Sequence, residues 1–114
     1  MLKDVTIESR QVGDRAVVKV TGRMNAESAA AFEAHCESWI SQGINSLVVD
    51  LGDLSYVSSM GLRSFVAIGK RLQEKGGKLR VCRQTGLVKQ VFEITRLDSI
   101  FPPHESVEAA LADG

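Results

Sequence analysis

Two adjacent serines, Ser58 and Ser59, hold the position in this chain that most favours chemistry, because they stand where an amphipathic helix is predicted to begin. A serine hydroxyl at a helix N-cap accepts a hydrogen bond from an otherwise unpaired amide, which contributes about 0.5–2 kcal/mol relative to alanine. A phosphoryl group on the same oxygen would carry about −1.5 to −2 charges at the positive end of the helix dipole, where free amides favour it. The local sequence therefore leaves two interpretations, a helix cap and a phosphorylation switch, and it favours the cap because serine is common before helices.

The other reactive side chains lack the spacing that catalysis or metal binding requires. The sequence contains no G-x-x-x-x-G-K-[ST] or G-x-G-x-x-G phosphate loop and no G-x-S-x-G elbow, and His35 and His104 form no H-x-x-x-H pair. Cys36 and Cys82 are far apart within apolar patterns, which predicts two buried, unreactive thiols. We expect a protein that is not an enzyme and that holds no metal or cofactor. The opposing hypothesis is a small enzyme that uses Cys36 or Cys82, or a nucleotide hydrolase with an unfamiliar site.

Size and charge limit the kinds of partner. The chain has 114 residues, enough for one domain spanning 1–114, and 14 basic residues balance 14 acidic ones. This balance, without a basic stripe, argues against nucleic-acid binding. No run approaches the ~18 apolar residues of a membrane span, and the N-terminus lacks the pattern of a secretory signal. We expect a cytoplasmic protein that does not insert into membranes.

The first half of the chain predicts a hairpin, a helix and a buried strand. Apolar residues from Val5 to Val20 flank a turn at Gly13-Asp14, and apolar positions from Ala29 onward recur at helical spacing, with Asn25 as the N-cap. The continuous apolar run Leu47–Leu51 predicts a central strand that is covered on both faces. We expect residues 52–59 to form a polar connection.

The second half continues the alternation of helices and strands. The patterns predict a helix that stops at Gly76-Gly77, a strand at 79–82, a helix from Gly86 to Thr95 and a last helix from Ser106 to Ala112. In the helix from Gly86, we expect four apolar side chains to point inward: Leu87, Val88, Val91 and Ile94. The order predicts an α/β fold in one domain, with a mixed central sheet and about four helices.

Four segments, taken together, resemble the STAS-domain anti-sigma-factor antagonists over nearly the whole chain. These segments are Thr21-Gly22-Arg23-Met24-Asn25, Val48-Val49-Asp50-Leu51-Gly52-Asp53-Leu54, Ser58-Ser59-Met60-Gly61-Leu62 and Gly77-Lys78-Leu79-Arg80-Val81-Cys82. The family carries an early G-x-L-D turn and a D-S-x-G-L segment whose serine is phosphorylated by the anti-sigma factor. The resemblance implies the STAS fold, and it reverses the preference for a cap alone.

Carried onto this chain, the resemblance makes Ser59 the phosphorylation site and Ser58 the second choice. Ser58 replaces the Asp that usually precedes the acceptor, and Asn25 stands where the early turn usually has Asp, which keeps the N-cap but removes a charge. The residues expected to face the partner are Arg23, Asn25, Tyr56, Ser58, Ser59 and Met60. For Tyr56 and Met60, apolar contact with a partner and packing into the domain are both open.

The function that the resemblance implies is partner switching. The unmodified protein would bind an anti-sigma factor that is a serine kinase with its own ATP, free a sigma factor, and be released when Ser59 is phosphorylated; a serine phosphatase would reset it. The alternative is a constitutive STAS subunit of a transport assembly, such as an ABC system for lipids. The serine pair favours the switch, whereas the loss of the preceding acid favours the alternative.

Overall fold

The computed structural model describes residues 4–113 and shows a sheet built around one long strand. The elements in chain order are β1 (Val5–Val12), β2 (Arg15–Met24), α1 (Ala26–Ser41), β3 (Ser46–Asp50), β4 (Leu54–Val57), α2 (Ser59–Glu74), β5 (Leu79–Cys82), α3 (Gly86–Ile94), α4 (Leu97–Ile100), β6 (Pro103–His104) and α5 (Val107–Ala112). The strand order β1-β2-β3-β5-β6 is antiparallel only at β1–β2. The predicted α/β fold with a mixed sheet and a central β3 is confirmed.

Strand β2 is long enough to pair with two successive strands on one side. Its first half pairs with β3 from Arg15 to Lys19, and its last residues pair with β4, with a register shift between Gly22 and Arg23. The sequence predicted only a polar connection here, because a four-residue strand with polar Ser55 and Tyr56 has little apolar periodicity. Strand β4 brings the start of α2 beside the end of β2.

The core lies on both faces of the sheet. On one face, the rings of Phe32, Phe65 and Phe92 join α1, α2 and α3, with centroids 5.1 and 5.6 Å apart. Helix α5 covers a smaller cluster on the other face, where Ala110 packs with Val17, Val48 and Cys82. Burial of these apolar side chains is the main term that stabilises the layers.

Helix α3 differs from its predicted orientation. Val88 and Phe92 are buried, whereas Leu87 is 50% exposed and Ile94 79% exposed. Residues 88 and 92 lie one turn apart on the face toward the sheet, and positions 87 and 94 are rotated away from that face. The prediction that Leu87 and Ile94 point inward is therefore wrong.

The two cysteines are buried, as predicted. Burial raises the pKa of the Cys36 thiol far above its usual range and, with the nearby Asp50 carboxylate, raises the pKa of Cys82 to about 12. Both groups are therefore thiols, and not nucleophilic thiolates, at neutral pH.

Within residues 4–113, no helix combines the length and the apolar character needed to cross a membrane.

A polar cluster at the surface joins β1 to α1. The Trp39 Nε1–H donates to Ser9 Oγ at 3.0 Å, and Ser9 Oγ lies 2.8 Å from His35 Nε2. Because the Ser9 oxygen accepts from Trp39, its proton is free to be donated to a neutral imidazole. Burial lowers the pKa of His35 below its usual value of 6.5.

This cluster predicts a pH dependence of stability that depends on His35. Since the unfolded chain binds the proton more readily, the His35 contribution is fully present above pH ~6.5 and is lost as the pH falls through the lower pKa of the folded state. We expect His35→Gln to flatten the change in the free energy of unfolding, measured by urea denaturation about one pH unit above and below 6.5. Ser38→Ala, on the same helix, is the control, and equal pH dependence in wild type and His35→Gln would contradict the prediction.

Candidate functional site

The two serines at the start of α2 have different structural roles. Ser58 is the N-cap, and its Oγ accepts a hydrogen bond from Gly61 N at 3.1 Å. Its backbone N–H donates to Met24 O at 2.8 Å, which ties the cap to the end of β2. The cap that the sequence predicted is therefore present, and Ser58 supplies it.

Ser59 is the first residue of α2, and its side chain is exposed. Within the described part of the chain, its hydroxyl makes no hydrogen bond. The first turn of α2 carries no acidic residue, so the positive end of this helix is not neutralised by its own side chains. The hydroxyl is accessible to a phosphoryl donor and lies where a phosphate would be stabilised.

Close packing beneath the helix start fixes where Ser59 lies. Gly61 is buried, and a Cβ at this position would lie 2.7 Å from Val57 Cγ2 and 2.9 Å from Met24 Sδ. The first turn of α2 therefore rests directly on the ends of β2 and β4. A larger residue at 61 would lift the helix start and move Ser59 with it.

Arg23 and Tyr56 form a stacked pair next to the serines. They are partners in the β2–β4 register, and Arg23 Cζ lies 4.5 Å from the centroid of the Tyr56 ring. Arg23 is exposed and Tyr56 is half-buried beneath it. Tyr56 is therefore neither fully packed into the domain nor fully exposed, since its ring packs on Arg23 and still contributes to the surface.

Asn25 caps α1 and also binds a carboxylate. Its Oδ1 accepts from Ser28 N at 2.9 Å, and its Nδ2 donates to Asp4 Oδ2 at 2.7 Å. Asp4 is held from its backbone as well, because Arg23 N donates to Asp4 O at 2.8 Å. The negative charge that Asn25 lacks is thus supplied beside it by Asp4.

Sequence reasoning missed Asp4. The signal was the hairpin register: β1 begins at Val5, opposite Gly22, so the residue before it lies beside the turn that contains Asn25.

Met60 follows Ser59 at the surface and is 47% exposed. It lies at one end of a groove of about 610 Å³ that runs along α2 toward Thr95 and Leu97. Of the two alternatives for Met60, the structure favours a surface position over packing into the domain.

The six residues expected to face a partner all lie at or directly after the ends of β2 and β4, and the bond from Ser58 N to Met24 O joins those two ends. Asn25 and Ser58, which follow β2 and β4, cap the N-termini of α1 and α2. Among residues 4–113, no cluster of three or more His, Cys, Asp or Glu side chains could hold a metal ion. These strand ends therefore present the exposed Ser59 hydroxyl close in sequence to the stacked Arg23–Tyr56 pair.

The division of roles predicts different effects of the two alanine substitutions on stability. We expect Ser58→Ala to lower the free energy of unfolding by about 1 kcal/mol, because the Gly61 amide loses its acceptor. Ser59→Ala should change it by less than about 0.5 kcal/mol, because the exposed hydroxyl makes no hydrogen bond to the described residues. Urea denaturation measures both, and equal losses, or a larger loss for Ser59→Ala, would contradict the assigned cap.

Comparison with known proteins identifies the family to which this domain belongs. The STAS domain family model matches residues 6–110. A Bordetella bronchiseptica protein, BtrV, named as a candidate anti-sigma factor antagonist, is 40% identical over 91 residues, which cover 80% of this chain and 78% of that protein. A crystal structure of an anti-sigma factor antagonist from Mycobacterium paratuberculosis superposes with a TM-score of 0.84 at 24% identity, covering 94% of this chain and 91% of that one.

The anti-sigma factor antagonist SpoIIAA shares the fold in two states. Its unphosphorylated form has a TM-score of 0.80 at 17% identity, covering 91% of this chain and 92% of that one. The phosphorylated form, from Bacillus, has a TM-score of 0.72 at 16% identity, covering 92% and 95%. The family match over most of the chain and the relative at 40% identity show that this protein belongs to the STAS domain family.

Proposed function

We propose that this chain is an anti-sigma factor antagonist that binds an anti-sigma serine kinase while Ser59 is unmodified, and that phosphorylation of Ser59 ends the association. The observation that carries this proposal is the exposed, unbonded hydroxyl of Ser59 on a helix start that Ser58 already caps. Modification of Ser59 therefore need not break the contact that holds α2.

The helix start supports a phosphate on Ser59 in the free protein. Gly61 N is bonded to Ser58 Oγ and Leu62 N to Ser58 O, whereas the amides of Ser59 and Met60 have no partner within the helix. A phosphoryl oxygen accepts readily from such amides, and the helix dipole adds a favourable charge interaction. The phosphorylated protein should therefore stay folded.

The same phosphate would oppose a complex that covers Ser59. A partner that packs on Tyr56 and Met60 removes water from the helix start, and a dianion without a cationic partner is costly to desolvate. A penalty of about 4 kcal/mol lowers affinity by nearly a thousandfold. A phosphatase that removes the group would restore binding. Because the kinase brings its own ATP, this chain acts only as its substrate. We propose that the exchange takes place in the cytoplasm.

The relatives support this proposal through their names. BtrV is named as a candidate anti-sigma factor antagonist, and SpoIIAA, an anti-sigma factor antagonist, has been determined in unphosphorylated and phosphorylated forms. Ser58 replaces the usual Asp and so alters the acceptor motif, which favours the alternative, a constitutive transport subunit. Because Ser58 keeps the N-cap that an Asp would also supply, the helix start is preserved, and this weakens the case for the alternative.

The proposal predicts a single phosphoryl group on Ser59 in the native cells. We expect the intact mass of the recovered wild-type protein to include a form with one phosphoryl group, and phosphopeptides to carry it on Ser59. Ser59→Ala should abolish that form, and Ser58→Ala should keep it. Loss only in Ser58→Ala would move the site by one residue. No phosphorylation under any growth condition would contradict the switch and favour the constitutive transport subunit.

The Arg23–Tyr56 pair predicts a second measurable effect, on partner affinity. The binding partner for this test is the kinase that co-purifies with this chain from the native cells. We expect Tyr56→Ala to weaken its binding by about tenfold or more, because aromatic side chains at interface centres contribute most of the binding energy. Tyr56→Phe keeps the ring under Arg23 and should bind nearly as wild type does. Lys75→Ala, at the far end of α2, is the control. Calorimetric titration that gives equal affinity for Tyr56→Ala and wild type would exclude this surface as the interface.

A further inference from the structure

Strand β1 forms one edge of the sheet, and its outer side is unpaired within residues 4–113. It stands first in the strand order, so β2 is its one neighbour in that part of the chain. The pairing runs from Val5 to Val12 without a register shift, which makes the edge eight residues long and regular. Strands are usually about five or six residues long, and exposed edges are usually shortened, bulged or interrupted by proline. The β1 edge has none of these protections.

The backbone groups that face outward from β1 belong to its odd-numbered residues. Arg23 N donates to Asp4 O at 2.8 Å, so the backbone of Asp4 faces β2. In an antiparallel pair, residues that bond to the neighbouring strand alternate with residues that do not. The even-numbered residues of β1 therefore bond to β2. The N–H and C=O groups of Ile7, Ser9 and Gln11 point away from the sheet, where a further strand can pair with them.

Two side chains of opposite charge lie between these outward groups. Glu8 and Arg10 are exposed, and neither forms a salt bridge with a residue in the range 4–113. The neighbour of Glu8 on β2 is Lys19, whose ammonium instead binds the Asp53 carboxylate at 3.1 Å. The neighbour of Arg10 is the apolar Val17. Both charges at the edge are therefore available to a partner strand.

We propose that β1 pairs antiparallel with β1 of a second copy of this chain, with the two-fold axis at Ser9. In this register Ser9 lies opposite Ser9 of the other copy, and Ile7 lies opposite Gln11, so the outward groups of both strands exchange hydrogen bonds. Glu8 of each copy lies opposite Arg10 of the other. These are the pairs without backbone hydrogen bonds, in which the side chains come closest. The interface thus contains two equivalent pairs of opposite charge.

The charges of β1 select this register over its neighbours. Because the outward groups repeat every two residues, the next possible registers move the two-fold axis by one residue, to Glu8 or to Arg10. The first places Glu8 opposite Glu8 of the other copy, and the second places Arg10 opposite Arg10, so each sets like charges directly against each other. Registers further away pair fewer residues of β1. The strand is therefore self-complementary in the register centred on Ser9.

The opposite edge of the sheet does not favour a longer assembly. Strand β6 consists of only Pro103 and His104, and a proline has no N–H to donate to a further strand. Pairing of β1 with β6 of the next copy, which would generate a filament, is therefore disfavoured. Symmetric pairing of β1 with β1 uses both free edges at once and closes the assembly as a dimer.

The proposed dimer does not depend on the proposed partner switch. The residues expected to face the kinase lie near the start of β1, where Asp4 binds Asn25. Because the two copies of β1 run in opposite directions, this region of one copy and the same region of the other lie at opposite ends of the joined sheet. A failure of one proposal therefore leaves the other standing.

Analytical ultracentrifugation of the full chain over a wide range of concentrations tests the dimer. Since one strand edge gives a small interface, we expect a reversible dimer whose fraction rises with concentration. Glu8→Arg alone and Arg10→Glu alone each set like charges opposite in both pairs, and each should weaken the dimer by about tenfold or more. A mixture of these two variants restores opposite charges and should form a heterodimer about as tight as the wild-type dimer. Glu93→Arg, the same charge change at an exposed residue of α3, is the matched control and should dimerise as wild type does.

Hydrogen exchange of the backbone amides, followed by NMR at low and high protein concentration, tests the strand pairing itself. We expect the amides of Ile7, Ser9 and Gln11 to exchange more slowly at the higher concentration. The amides of Glu8 and Arg10, which already bond to β2, should slow by a smaller factor. If a charge variant fails to fold, this measurement on the wild-type chain still decides the question.

Three results would overturn the proposal. They are a monomer at every concentration, a dimer that both single charge reversals leave unchanged, and a dimer in which the amides of Ile7, Ser9 and Gln11 gain no protection. The first would leave the β1 edge for a strand of a different protein, and the other two would place the dimer interface elsewhere on the domain.

Discussion

The arrangement of the candidate surface depends on how the first turn of α2 sits on the ends of two strands. The amide of Ser58 bonds to Met24 O, and Gly61 leaves no room for a side chain above Val57 and Met24. Together these contacts anchor the helix start, so the position of Ser59 follows from the sheet and not from a flexible loop. A site on rigid elements keeps its geometry without a ligand present.

Within this arrangement, one serine stabilises the helix and the next is available for chemistry. The local sequence treated the cap and the switch as competing interpretations of one pair, but the structure assigns the cap to Ser58 and leaves Ser59 free. A similar separation occurs at the start of α1, where Asn25 caps the helix and Asp4 supplies a carboxylate. The two departures from the usual acidic residues of the family therefore keep both caps, and one of them keeps a negative charge nearby.

Periodicity predicted the hairpin, β3, β5 and the long helices because each buries a regular apolar face. It did not predict β4, whose pairing with β2 comes from tertiary contact, or α4, which has only four residues. It also misplaced Leu87 and Ile94, because a nine-residue helix can bury one narrow face while neighbouring apolar residues stay exposed. The candidate site followed from motif resemblance, whereas the stacking of Arg23 on Tyr56 and the role of Asp4 required the strand register.

The central claim is that the charge on Ser59 controls association with a kinase, and it is tested most directly by comparing two forms of one protein. The kinase that co-purifies from the native cells would be titrated by calorimetry with the unmodified chain and with the chain phosphorylated on Ser59. We expect tight binding of the unmodified form and a loss of affinity that approaches a thousandfold on phosphorylation. Equal affinity of the two forms would contradict control by the Ser59 charge and would indicate a constitutive binding module.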